Sequence, residues 1–436
     1  MASALSSRPI GARVSHLLGL VMLGVTSVLP ACVPATSQAP AGLNVLAATA
    51  PSGQSGPAGP ASVTVPAMID DNRMLVELAF ARPDGGVRKA LAFVNMGSVA
   101  PALSAALADE LGVNRGDALS FSVGGMPMRV EASALDRNIA KDFFVKYFAP
   151  RRVEATLPSG LLQNYLVVLD YGKATLTLAL PGKSKPDGIA IPAQVNPNTG
   201  LISIDASIDG HVHPVAIDNG TGYTLFRGQV VQAWLGRHPD WQRGIGAVGE
   251  SNTGMLNNAI ENEGILVRVP EIALGPLRLQ DVGVLGTGSL LGTVGDGLFG
   301  DPFWKSFSKR TPVPVDGLIG GNVLKDFRLT IDYQNRMTYW QQQRELDPHD
   351  LDQVGITLER RATGYFIAGI ARQAGKATVE GIAPGDKLVQ IDGLSTENAS
   401  RGTVLAALHG RPGDGRVLTL ERAGQQLQVN ALVMGF

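Results

Sequence analysis

Alternating polar and apolar residues, a tight turn and then an apolar strand occur twice along the chain, a pattern that predicts two β-hairpins of one design. The first has its turn at Pro83-Asp84-Gly85-Gly86 and runs on through Leu91-Ala92-Phe93-Val94-Asn95-Met96-Gly97-Ser98. The second has its turn at Asp209-Gly210 and runs on through Pro214-Val215-Ala216-Ile217-Asp218-Asn219-Gly220-Thr221. A helical pattern follows each, at residues 101–111 and 229–235. A second matched pair closes the repeat, with residues 160–171, ending Val168-Leu169-Asp170-Tyr171, lying over residues 322–333, ending Thr330-Ile331-Asp332-Tyr333. Two markers recurring in the same order indicate an internal duplication. It predicts two homologous β-rich lobes, at 68–182 and 190–343. The second lobe is the longer. Its extra residues include a Gly-rich hairpin candidate at 244–258 and a loop at 286–314. Within that loop, Asp296-Gly297-Leu298-Phe299-Gly300 echoes Asp316-Gly317-Leu318-Ile319-Gly320, either as a local duplication or as a second turn of the same type.

The pattern changes at about residue 350. Strands are expected at 354–359 and 364–370, followed by the run from Glu380-Gly381-Ile382-Ala383-Pro384-Gly385-Asp386 to Asp392-Gly393, a helix at 401–409 and closing strands. A third unit is therefore expected over 350–436.

The other end of the chain predicts export. Arg8 and Arg13 precede an apolar run at 17–29 that is too short to span a bilayer as a mature helix, and Leu29-Pro30-Ala31-Cys32 follows. That ending resembles a bacterial lipobox, which implies a signal peptide at 1–32, a lipid on Cys32 and a periplasmic, membrane-anchored protein. Cleavage after Ala35, within Val33-Pro34-Ala35, would instead leave a free soluble protein. Residues 33–67, rich in Pro, Ala, Ser and Gly, bury too little to fold and are expected to act as a flexible tether.

Composition narrows the function. Of 436 residues 53 are Gly and 27 Pro, in keeping with a β-rich chain of many turns. A net charge of -1 leaves no excess of Lys and Arg to meet phosphates, which excludes a nucleic-acid partner. The single cysteine excludes an internal disulfide and a Cys-based metal site. His211-x-His213 could present two imidazoles on one strand face, but with no third ligand nearby a surface pair is expected, and no metal or cofactor. No Ser/His/Asp arrangement stands out, and Asp170 and Asp332 are expected to be structural.

Ile217-Asp218-Asn219-Gly220-Thr221-Gly222, paired with Leu318-Ile319-Gly320 and the run into Ile331-Asp332-Tyr333, resembles a lobe of a retropepsin-like or pepsin-like aspartic protease. The resemblance implies two β-barrel lobes facing each other, a site built on Asp218, Gly220 and Thr221 together with residue 95, and a Gly-rich flap at 244–258. Hydrolysis by such a site uses two carboxylates sharing a proton, one ionised to activate water and one protonated to polarise the peptide carbonyl. Asp218 supplies one. The matching residue is Asn95, whose amide neither ionises nor donates an acidic proton. Met96 and Asn219 stand where Thr or Ser would tie the turns together, and Thr156-Leu157-Pro158 stands where an apolar-apolar-Gly element is expected. Three readings remain open: a non-catalytic peptide-binding or regulatory scaffold, a peptidase working with Asp218 and Asn95, and a homodimer pairing Asp218 with Asp218. Asp218 as a turn residue accepting backbone N–H bonds is the structural alternative.

The 380–393 run resembles the bacterial PDZ domain. That resemblance implies a polypeptide or C-terminal peptide ligand added as a strand to a sheet edge. The carboxylate would fall in the loop Val354-Gly355-Ile356, with Leu405 or Leu408 lining a side-chain pocket. Packing of this unit against the lobes is the alternative. Membrane contact is expected only through the N-terminal lipid, and the oligomeric state is open.

Overall fold

The computed structural model describes residues 59–113, 118–136, 143–182, 186–246, 262–288 and 301–436. The expectations for the 1–32 signal and Cys32, for most of the 33–67 tether, for residues 247–258 of the hairpin candidate and for the 296–300 echo lie outside them.

The fold is mainly β, with several sheets. Its seam is made by the second marker of the repeat. Leu166–Asp170 and Phe327–Asp332 pair antiparallel, with Leu166 opposite Asp332, Val168 opposite Thr330 and Asp170 opposite Arg328. Thr175–Ala179 and Ser62–Asp70 extend the sheet on one side, and Met337–Gln342 and Ile189–Pro192 extend it on the other. The two halves thus meet about a pseudo-twofold through Val168 and Thr330. The apolar run of these strands explains the placement: Val167, Leu169, Leu329 and Ile331 are all buried. The two aspartates end the seam as turn residues. Asp170 accepts from the Lys173 N–H at 2.9 Å, and Asp332 from the Asn335 N–H at 3.0 Å.

The first marker is delivered by a parallel crossing in each half. Val87–Asn95 runs beside Val153–Pro158, with Asn95 opposite Pro158. His211–Ile217 runs beside Gly317–Ile319, with Ile217 opposite Ile319, and the Asp218 N–H continues the ladder to the Ile319 carbonyl at 3.0 Å. Short helices follow at Ser159–Leu162 and Gly321–Leu324, each tied back in the same way: Ser159 N–H to the Ser98 carbonyl, and Gly321 N–H to the Thr221 carbonyl.

Pro158 and Gly320 occupy equivalent places with ordinary negative φ values of -90° and -104°. Gly320 is therefore not needed for its backbone freedom. It is needed for space, since a Cβ there would lie 2.1 Å from the Tyr223 carbonyl oxygen.

The expectation of two barrels is corrected to one among the described residues. Strand pairing closes a ring in the second half alone, where Ile202–Ile208 pairs with both His211–Ile217 and Ile265–Leu274. Thr224–Phe226 bridges Gly317–Ile319 to Leu277–Gly286 and completes it. The first half makes only an isolated bridge, Leu103 to Ala155, at the place of Thr224–Phe226. Its open side is covered by the helix Phe143–Phe148, whose Phe143, Phe144, Tyr147 and Phe148 pack on Leu75, Phe93 and Val153.

The expected helices are found at Ala105–Glu110, Gly228–Arg237 and Arg401–Leu408. A further helix, Pro302–Ser308, stands in the long loop, capped by the Asp301 carboxylate. The 350–436 unit has its own sheet, Ile356–Arg361, Gly364–Ile370, Lys387–Ile391, Gly415–Arg422 and Gln425–Leu432 in that order, over a core that includes Val354, Ile367, Leu405 and Leu418. It docks on the barrel: Arg372 pairs with Ile245, and the Phe436 ring fills the space beside Gly244.

Gly320→Ala should lower the unfolding free energy by about 1–3 kcal/mol, the usual cost of forcing extra volume into a packed site. A urea unfolding midpoint indistinguishable from wild type would show that the Tyr223 peptide is free to move.

Candidate functional site

The two crossings bring Asn95 and Asp218 face to face. Each side chain caps its own turn, Asn95 Oδ1 accepting from the Gly97 N–H at 2.9 Å and Asp218 Oδ1 from the Gly220 N–H at 2.7 Å. Each also lies over the opposite turn. A Cβ on Gly97 would be 2.1 Å from Asp218 Oδ2, and one on Gly220 would be 2.3 Å from Asn95 Oδ1. Glycine is thus required at both places by close approach. The Gly97 N–H faces both side chains at once.

The turns are clamped by Asn219. Its Nδ2 donates to the Val94 carbonyl at 3.1 Å and its Oδ1 accepts from the Met96 N–H at 2.8 Å. An amide carries donor and acceptor together, so one side chain makes both bonds across the interface. The tie expected of a Thr or Ser hydroxyl after residues 95 and 218 is therefore made by an amide. Asn219 ties the turns from one side, and Met96, lacking any polar handle, packs into the core. Met96 is held through its backbone instead, its carbonyl accepting from Ser159 Oγ at 2.5 Å. Thr221 turns inward, accepting from the Tyr223 N–H at 3.1 Å and donating to the Tyr223 carbonyl, so its hydroxyl serves the turn.

Two cations complete the site. Arg73 is buried and donates from Nε to the Gly220 carbonyl at 2.9 Å, while its Nη1 donates to the Asp71 carbonyl at 3.2 Å and pairs with the Asp71 carboxylate. Arg310 lies against the Phe307 ring, 5.2 Å from its centroid, with its own carbonyl held by Asn196 Nδ2 at 2.9 Å and Thr199 Oγ1 at 2.7 Å. Its charge acts on Asp218 and Asp136, and burial pulls its guanidinium down to about 10. Burial pushes the Asp218 carboxyl above the usual carboxylate range. The Gly220 and Gly97 N–H groups and the charges of Arg73 and Arg310 oppose that shift without overcoming it.

Neither arginine was foreseen from the sequence. The one local signal is the short turn between two apolar strands at Asp71 and Asn72, which take φ values of 50° and 59°. Asp and Asn are the side chains most at home there. That turn places Arg73 under Gly220 and lets Asn72 Nδ2 donate to the Gly222 carbonyl at 3.2 Å.

The residues expected to receive a peptide carboxylate lie elsewhere, in the 350–436 unit. Val354, Gly355, Ile356 and Leu405 are all buried. The Val354 N–H donates to the Leu408 carbonyl at 3.1 Å and the Ile356 N–H to the Val354 carbonyl at 2.7 Å, so both donors are engaged within the unit. His211 is exposed, while His213 Nδ1 lies 2.9 Å from Asp316 Oδ2. Among the described residues, no group of three or more His, Cys, Asp or Glu is placed to hold a metal ion.

No family model matches the chain, and no curated protein matches it. Among solved structures it is similar to the basic 7S globulin of soybean, with a TM-score of 0.36 and 9% identity over 65% of this chain and 95% of that one. It is also similar to conglutin gamma, a basic 7S globulin from lupine seeds, with a TM-score of 0.37 and 8% identity over 66% and 96%. The membership expected from the motifs, in the retropepsin-like or pepsin-like aspartic proteases with a bacterial PDZ domain, is overturned by these findings. Neither family models nor curated proteins support a PDZ protease.

Asn219→Ala should cost about 2–4 kcal/mol of stability, since it strands the buried Val94 carbonyl and Met96 N–H. Urea unfolding measures this, and a cost below about 0.5 kcal/mol would remove the clamp from the account. A second expectation concerns pH. An acid whose folded pKa is raised binds more protons folded than unfolded. Its burial therefore costs nothing below its unfolded value of ~3.9 and becomes a penalty as the pH climbs through the raised value. Asp218→Asn should accordingly be more stable than wild type above that window, with the advantage fading on acidification. An advantage independent of pH would show that Asp218 does not titrate as burial dictates.

Proposed function

We propose that the facing turns hold an extended polypeptide without cutting it. The observation that carries this reading is Asn95 opposite Asp218, one carboxylate where water activation with carbonyl polarisation calls for two. An amide, a carboxylate and a nearby guanidinium form a set of donors and acceptors suited to a peptide backbone, which offers an N–H and a C=O at every residue. The glycines that let the turns close on each other, and the Asn219 clamp, support a site kept in shape around a single acid. Removal of one positioned acid or base slows a reaction by about 10²–10⁴-fold.

Slow hydrolysis by water on Asp218, with Asn95 opposite, is the second reading, favoured by the elevated carboxyl of Asp218. A dyad formed by Asp218 from two chains is less well supported, because Asp218 already lies over its own chain's Gly97. We read the chain as two β lobes, 68–182 and 190–343, and a C-terminal unit, 350–436. We further propose that it is exported and anchored through Cys32. No helix among the described residues is long and apolar enough to cross a membrane.

Incubation with a mixed peptide library from pH 3 to 8 separates the readings. Wild type should bind peptides and leave them intact, and Asn95→Asp should begin to cleave them at acidic pH. Cleavage by wild type that disappears in Asp218→Ala would establish the enzyme reading instead.

A further inference from the structure

Three consecutive residues at the start of the C-terminal helix are docked on the turn that supports the site. Ser400 Oγ donates to Asp70 Oδ1 at 2.7 Å. Arg401 Nη1 lies 3.6 Å from Asp71 Oδ2. Gly402 sits so close that a Cβ there would be 2.4 Å from Asp70 Oδ1 and 2.5 Å from the Asp71 nitrogen. The path continues without a gap. Asp71 pairs with Arg73, Arg73 Nε donates to the Gly220 carbonyl at 2.9 Å, and the Gly220 N–H caps Asp218 at 2.7 Å. Arg401 and Arg73 are 3% and 1% exposed, so no bulk water is at hand to compensate when one of these charges moves. A buried ion pair that loses one partner must recruit another or shift.

We propose that Arg401, seated by Ser400 and Gly402, is a positioning residue for the Asp218 turn: acting through Asp71 and Arg73, the C-terminal unit sets where the Gly220 peptide, and with it the Asp218 carboxylate, stands. The unit is fixed on the barrel side as well, by the Ile245–Arg372 pairing and by Phe436 against Gly244, so these residues are presented at a set place. The inference rests on the reading of the Asp218 turn as a binding site, and it supplies the element that holds that site in register. It also gives the 350–436 unit a role that its buried Val354-Gly355-Ile356 loop does not.

The test follows the titration of the Asp218 carboxyl by carbon NMR in the full chain, beside peptide binding and urea unfolding, for wild type, Arg401→Met, Arg401→Lys and Ser400→Ala. With Arg401 neutral, Asp71 draws Arg73 toward itself and away from Gly220. Asp218 then loses part of its stabilising charge, its titration moves further up, and peptide binding weakens by about fivefold or more. Arg401→Lys should restore most of both. Ser400→Ala, which leaves every charge in place, should move the titration the same way by less, and it is the variant to read if Arg401→Met does not fold. Lower stability with an unmoved Asp218 titration, in whichever of the two folds, would reduce this contact to packing and overturn the proposal. A titration that moves while no variant binds any peptide would overturn the binding reading and leave the positioning role standing.

Discussion

The two hydrogen bonds made by the Asn219 amide across the turns are the constraint on which the site depends. They are buried, they run in opposite senses, and they join the backbone on either side of Asn95 to the residue that follows Asp218. Broken, they would leave a donor and an acceptor with no water to replace them, so the facing arrangement is cheaper to keep than to relax. The close approach they enforce is also why Gly97 and Gly220 have no room for a side chain. The Leu166–Asp170 and Phe327–Asp332 seam brings the halves together, and Asn219 determines how closely their turns meet.

Within that frame the two halves keep a common geometry and diverge in charge. Both turns are capped by their own side chain, and both short helices are tied back by equivalent bonds. Yet one side offers an amide and the other a carboxylate on which the charges of Arg73 and Arg310 act. A pair of like charges would have divided one proton between them. A lone carboxylate among cations is instead governed by the balance of burial against attraction, and burial prevails. Arg73 belongs equally to the Asp71–Arg401 contact, which places the C-terminal unit in electrostatic reach of the site.

Much of this was legible in the sequence, and particular residues show why. Hairpin turns, apolar strands and paired markers are local signals, so the repeat, the strands carrying residues 95 and 218 and a helix at 401–409 could be anticipated. Pro158 shows the limit. It stands where the repeat places Gly320, and nothing local tells whether that Gly serves the backbone or the packing. The structure shows an ordinary φ there and a steric need confined to Gly320, set by the Tyr223 carbonyl. Met96 and Asn219 stand where a hydroxyl is expected, and residue-by-residue comparison overlooks an amide able to make both bonds.

By itself, the sequence determined the β character, the duplication, the carboxylate at 218 matched in the repeat by an amide at 95, and the absence of any cysteine pair. These follow from residue type and spacing along the chain. Only the tertiary structure decided that one half closes into a barrel, that Asn219 holds the turns, that Arg73 and Arg310 bear on Asp218, and that Arg401 reaches Asp71. Arg73 and Gly220 stand 147 residues apart, and Ser400 and Asp70 stand 330 apart. Contacts of that range leave no local pattern, because they arise when independent elements are packed against one another and a buried charge must find its partner wherever the fold has placed it.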